Sequence, residues 1–271
     1  GSGGVAGGLT FEPHPIQVLA PDRAPRRILV SLEHKERLLA SLGVTVLLAL
    51  RFDETMACQS AEEFADRLFS VGALGQVVAG ADWKFGRERR GTMELLRGLG
   101  GPRGVEVTAV PAVMLKGERI SSTRLRWALR EGKLQAASEM LGRAYTVMGV
   151  VVRGEQLGRK LGAPTANISV GDEQLPSDGV YAVTATIGEG TKEHQGVANL
   201  GVRPTVDGKR RLLEVHLLDF DGDLYGNTME VCFGMRLRNE KKFGCSEELR
   251  AQIQLDLEEV RQLSETRKEG L

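Results

Sequence analysis

Hydrophobic and polar positions follow two different rhythms along this chain, and the change falls near residue 143. Ahead of it, apolar runs of strand length alternate with helical patterns. Ser31 caps a helix carrying Leu38 and Leu39 and closed by Gly43, and Val44 to Leu50 then forms an almost unbroken apolar run. Ser60 and Glu63 form a capping box for a helix carrying Phe64, Leu68 and Phe69, and Gln76 to Gly80 resumes a strand. Thr92 to Leu99 reads as a helix, Val105 to Val110 as a strand, and Ser122 to Glu131 as a helix stopped by Gly132. Strands apolar on both faces and separated by helices predict a parallel, Rossmann-like sheet, with ligands at the carboxyl ends of the strands.

Beyond residue 143 the segments are short and alternating: 146–152, 179–187, 195–199, 212–218 and 228–233, punctuated by Gly, Pro, Asp and Asn. That pattern predicts a small antiparallel barrel. A final helix follows, with Ser246 as its expected N-cap and Leu249, Ile253, Leu257 and Val260 as its apolar stripe, fraying past Leu263. The domains expected are therefore 1–142 and 143–271.

Composition narrows the function classes. Lys plus Arg and Asp plus Glu are 36 each, so the net charge of zero gives no support to a nucleic-acid partner. No run reaches the length of a membrane span, and a soluble cytoplasmic protein is expected. Cys58, Cys232 and Cys245 are widely spaced and read as small buried apolar residues rather than as a disulfide or zinc framework. The sequence carries no signal of oligomeric state.

The densest chemistry lies at 158–167, Gly-Arg-Lys-Leu-Gly-Ala-Pro-Thr-Ala-Asn. Gly158 and Gly162 let backbone N–H groups turn toward an anion, with Arg159 and Lys160 beside them. Thr165 and Asn167 are two apart and leave the same face of an extended segment. Their hydroxyl and amide oxygens are hard ligands of the kind that share Mg²⁺ with phosphates and water. A plain Gly/Pro turn leading into a strand is the competing reading. Downstream, Leu212–Leu218 places Glu214 and His216 opposite Leu213, Val215 and Leu217. A carboxylate on such a strand is either a general base for a substrate hydroxyl or half of a salt bridge with Arg210 or Arg211. Asp219 to Gly226 resembles a calcium loop without its terminal Glu and reads as a hairpin turn.

GRKLGAPTAN, GVANLGVRPT, LEVHLLDFDGDLYG and RLRNEKKF, in that order, resemble the riboflavin kinase module of the bacterial bifunctional riboflavin kinase/FMN adenylyltransferase family. TFEPHP, GADWKFG and ISSTRLR resemble its adenylyltransferase module. The resemblance implies a six-stranded kinase barrel phosphorylating riboflavin to FMN with ATP and Mg²⁺. Thr165 and Asn167 would then contact metal and phosphates, and Gly158, Arg159, Lys160 and Gly162 would shape a nucleotide flap. Glu214 would be the base, and Arg238, Glu240 and Phe243 would border the flavin.

For adenylylation of FMN to FAD, the resemblance implies Asp82 and Phe85 in a flavin-side loop. It further implies Ser121, Ser122, Thr123 and Arg126 in a phosphate motif at a helix N-terminus. The family's Phe-Asp-Gly-Val-His-x-Gly-His type segment does not occur in this sequence, and His14 belongs to a different motif. An incomplete sheet and weak or absent FAD formation are therefore expected. Two alternatives stand beside this reading: a kinase alone with an inactive adenylyltransferase remnant, and a non-catalytic flavin-binding regulator. The partners implied are riboflavin, FMN and ATP.

Overall fold

The computed structural model describes residues 3–25, 27–72, 74–153, 164–205 and 208–269. It resolves into two compact units, one formed by residues 1–26 and 35–120 and the other by residues 27–34 and 121–271. This division differs from the 142/143 boundary of the sequence pattern. Helices α6 (Ser122–Arg130) and α7 (Leu134–Leu141) cluster with the C-terminal residues rather than with the strands before them.

The first unit contains two parallel strand pairs, each joined through helices. Strand β1 (Gly7–Glu12) pairs with β2 (Val46–Arg51), and β3 (Gln76–Gly80) with β4 (Glu106–Val110). These are the α/β crossovers the apolar runs predicted, but among the described residues they form two pairs instead of one continuous sheet. Helix α4 (Ala61–Phe69) starts on the expected Ser60/Glu63 capping box, and α5 (Met93–Gly100) on the side chain of Thr92. One apolar cluster serves both pairs: Phe64, Phe69, Phe85, Met93, Leu96 and Val107 are buried, with Phe11, Leu50, Val77 and Ala109 packed against them. Val46, Leu48, Val78 and Val110 stay exposed on the strands themselves.

The second unit is built on a closed antiparallel barrel. Its strands are β7 (Tyr145–Val152), β8 (Ala166–Ser169), β9 (Gly179–Ile187), β10 (His194–Thr205), β11 (Gly208–Leu217) and β12 (Thr228–Arg238). Around the barrel they run β10, β11, β8, β7, β12, β9. Period-two alternation sends Tyr145, Val147, Ile168, Tyr181, Leu200, Leu213, Val215 and Phe233 to the buried side, where Tyr181 meets Phe233 edge-on at 5.4 Å. Gly196 is glycine for a steric reason, because a Cβ there would lie 2.3 Å from the carbonyl oxygen of His216 on the facing strand.

The final helix α8 (Ser246–Glu269) lays Ile253, Leu257 and Val260 against Ala182, Val197, Leu218 and Leu237. Ser246 is its first helical residue rather than its cap. The Glu248 carboxylate instead accepts from the Gly244 N–H at 3.0 Å, and the helix continues beyond Leu263 to Glu269. Two further expectations are corrected. The segment after β11 is no hairpin turn, since β11 and β12 are not neighbours in the barrel and the chain must cross between them. The cysteines are not uniformly buried, as Cys58 and Cys245 are exposed and Cys232 is half-buried.

Candidate functional site

Strand register brings the kinase-side residues together. Asn167 on β8 stands directly opposite Glu214 on β11, and Glu214 stands opposite Asn199 on β10. The row continues outward to Val152 on β7 and to Val180 on β9. Residues opposed across an antiparallel ladder share a face, so Asn167, Glu214 and Asn199 emerge side by side from the wall of the barrel. Their strand neighbours Ala166, Ile168, Leu213, Val215, Ala198 and Leu200 fill the buried side. Asn199 Nδ2 donates to Glu214 Oε2 at 3.3 Å. Asn167 is buried and Glu214 half-buried.

Thr165 precedes β8 by one residue, so it lies two positions from Asn167 in extended chain. The turn into that segment is held by His216, whose Nδ1 donates to the Pro164 carbonyl oxygen at 2.8 Å. The oxygens of Thr165 and Asn167 are hard donors of the kind that suit Mg²⁺, and the Glu214 carboxylate stands on the adjacent strand. Among the described residues no group of three or more His, Cys, Asp or Glu side chains is placed to cage a metal ion alone. Gly158, Arg159, Lys160 and Gly162 lie outside the described residues.

The flavin-side expectations at the C-terminal end of β12 divide. Arg238 lies opposite Val180, at the far end of the same row, but its guanidinium is claimed by a fork-to-fork pair with Asp256 of α8, Nη2 to Oδ2 at 2.7 Å and Nε to Oδ1 at 2.9 Å. Its Cζ lies 5.8 Å from the Phe243 ring centroid, and Lys241 Nζ lies 5.6 Å from the same ring. The Glu240 carboxylate rests against Gly201, where an added Cβ would meet Oε1 at 2.0 Å. Asp256 was not anticipated from the sequence, although it sits three positions after Ile253 and four before Val260, an acid on the apolar stripe.

The adenylyltransferase-side residues are not gathered in one unit. Asp82 belongs to the first, exposed, with Arg119 Nη2 donating to its Oδ2 at 2.7 Å; that hydrogen bond holds its carboxyl below the ordinary range. Arg119 is carried on the hairpin of β5 (Met114–Leu115) and β6 (Glu118–Arg119), whose turn residues Lys116 and Gly117 both have positive φ. Phe85 is buried in the core of that unit, stacked on Trp83 at 4.7 Å, and so presents no open face to a ring ligand. Ser121, Ser122, Thr123 and Arg126 belong to the second unit. Ser121 is the N-cap of α6, its hydroxyl accepting from the Arg124 N–H at 3.2 Å, while Ser122 and Thr123 are exposed. Arg126 is turned to the Arg27 carbonyl oxygen at 3.3 Å, and burial lowers its pKa.

A second polar cluster in the barrel unit was invisible in the sequence. His34 and Glu173 are fully buried, with Nδ1 3.1 Å from both carboxylate oxygens. Glu173 also accepts from the backbone N–H groups of Ser31 and Met148, and His34 Nε2 reaches Thr146 at 2.9 Å and Glu230 at 3.3 Å. Burial alone would drive the imidazole down, but the hydrogen bonds of Glu173 and Glu230 prevail and raise it to about 9. Glu173, penalised by the same burial, is held below its ordinary value by His34 and Ser31.

Comparison with known proteins agrees with the division into modules. The Riboflavin kinase family model matches residues 141–264, and the FAD synthetase family model matches residues 5–124. The bifunctional riboflavin kinase/FMN adenylyltransferase of Escherichia coli strain K12 is 42% identical over 249 residues, covering 92% of this chain and 79% of the relative. The enzyme of the same name from Bacillus subtilis strain 168 is 35% identical over 266 residues, covering 96% and 83%. A crystal structure described as a macrolide-efflux protein from Streptococcus pneumoniae superposes with a TM-score of 0.81 at 32% identity, covering 95% of this chain and 83% of that one. No helix among the described residues of this chain is long and apolar enough to cross a membrane. With both family models present in order and relatives of one name aligned over most of its length, the chain belongs to the bifunctional riboflavin kinase/FMN adenylyltransferase family, the enzymes of FMN and FAD biosynthesis.

Proposed function

We propose that the barrel transfers the γ-phosphoryl group of ATP to the 5′-hydroxyl of riboflavin. The observation that carries this reading is the direct opposition of Asn167 and Glu214 on neighbouring strands, which sets a phosphate-side amide beside a carboxylate base. Thr165 and Asn167 hold Mg²⁺ together with phosphate oxygens, and the bound ion supplies neutralisation of phosphate charge. Glu214 takes the hydroxyl proton as the new O–P bond forms and the bond from the γ-phosphorus to the bridging oxygen breaks, leaving ADP and FMN. Because the transfer is mostly positioning and charge compensation, the residues need rigidity more than exotic chemistry, and a closed barrel supplies it. Phe243, with Arg238 fixed behind it by Asp256, borders the isoalloxazine ring.

The family's FMN adenylylation is assigned to Asp82 as a flavin-side contact and to the Ser121 to Arg126 motif as a phosphate contact. FMN is the major product of this chain and FAD the minor one, a reading supported by the burial of Phe85 against Trp83. The partners are small molecules, and the balanced charge favours these over nucleic acid. Supplying riboflavin, ATP and Mg²⁺ to the purified chain and separating the flavins chromatographically tests both statements. Absence of both FMN and FAD overturns the kinase assignment, and FAD equal to or exceeding FMN overturns the product ratio.

A further inference from the structure

We propose that Asn199 is a positioning residue for phosphoryl transfer, orienting the base; this rests on the reading of Glu214 as that base. Glutamate has three side-chain torsions, so a base on a strand surface must be held if it is to meet a substrate hydroxyl in one geometry. Asn199 is built to do this. It is the residue directly across the ladder from Glu214, and its Nδ2 donates to Oε2 at 3.3 Å.

The alternation of β10 puts Val197, Asn199 and Gly201 on one face, and that face is fixed at both neighbouring positions. Val197 is packed under α8, while Gly201 lies against the carboxylate of Glu240. An amide suits the task because its NH₂ donates to the ionised carboxylate, whereas a cation in its place would neutralise the base. Asn167 flanks Glu214 from the other side through β8, so the carboxylate sits between two amides. In this proposal the two have separate tasks: Asn167 faces metal and phosphate, and Asn199 aims the base.

The test compares the full chain with Asn199→Leu, Asn199→Asp and Glu214→Gln, measuring kcat and both KM values. Asn199→Leu removes the hydrogen bond that aims the carboxylate and should lower kcat roughly tenfold or more while KM for ATP changes less than about threefold. Asn199→Asp, nearly the same shape but without the NH₂ donor, should lower kcat at least as much, and it serves if the leucine variant does not fold. In a Glu214→Gln background, Asn199→Leu should cost nothing more, since both act through one group. Wild-type kcat in the Asn199 variants, with Glu214→Gln inactive, overturns the role of Asn199 and leaves the base assignment standing. An active Glu214→Gln overturns the base assignment itself.

Discussion

Two glutamates of the barrel unit show how one side chain is used for opposite ends. Glu173 is fully buried and surrounded by donors: the His34 ring and the backbone N–H groups of Ser31 and Met148. Glu214 is half-buried, on a strand surface, between the amides of Asn167 and Asn199. A carboxylate facing a protonated imidazole and two amides has spent its lone pairs on the fold. In the proposed role, a carboxylate aimed by a neutral amide is turned toward a substrate hydroxyl. The difference teaches that it is the partner set, more than the residue type, that separates a structural acid from a reactive one.

The sharpest test is a pair of substitutions with opposite signatures. Glu214→Gln should cut riboflavin phosphorylation by about 10²- to 10⁴-fold, the usual contribution of a general base, while thermal stability moves by less than about 0.5 kcal/mol. Glu173→Gln should do the reverse. Withdrawing one member of a buried ion pair costs about 3–5 kcal/mol, read as a lowered melting temperature, with turnover per folded molecule unchanged at low temperature. If Glu214→Gln melts the protein and retains turnover, the two roles have been exchanged.

The same contrast was only half legible in the sequence. Thr165, Asn167 and Glu214 stood out because period-two spacing selects a face, and because a polar residue on a strand with an apolar opposite face needs a reason. Asn199 stood in the quoted GVANLGVRPT run without a role, since its task depends on which residue of β11 lies opposite, and register is set by tertiary pairing. Glu173 and His34 are separated by 139 positions, and nothing local marks either as paired. Segment 166–169 read either as part of a phosphate motif or as a strand after a Gly/Pro turn, and it is the barrel strand β8. The helices at 122–141 continued the α/β rhythm of the first module, yet they cluster with the barrel, because a helical period reports an apolar face and not what covers it.

A pH titration sharpens the structural side. His34 is raised from 6.5 to about 9 in the folded chain, so between those values the native state binds more protons than the unfolded state. The stability it contributes is complete below pH 6.5 and is lost as pH rises through about 9, a decline on the order of 3 kcal/mol. Glu173 acts at the other end. Its depressed pKa gives stability that is present above the ordinary carboxylate range and lost as pH falls through the folded value. Chemical denaturation at pH 6.5 and pH 9 should show the alkaline loss in the wild-type chain and a flatter response in a His34→Met/Glu173→Gln double variant. Equal slopes in the two would mean that the histidine is not charged.

The smallest expected effect lies at the edge of the reactive row. His216 shares the outward face of β11 with Glu214, but its Nδ1 donates to the Pro164 carbonyl and so fixes the chain just before Thr165 and Asn167. That tautomer places the proton on Nδ1, and the ring acts on the phosphate segment through its backbone rather than on the flavin. His216→Phe keeps the ring and loses a single neutral hydrogen bond at an exposed site, which is worth about 0.5–1.5 kcal/mol. The expected outcome is therefore a rise of roughly 2- to 10-fold in KM for ATP with kcat nearly unchanged. A His216→Phe variant that lowered kcat and left KM for ATP unchanged would place the histidine with the base instead of with the phosphate segment.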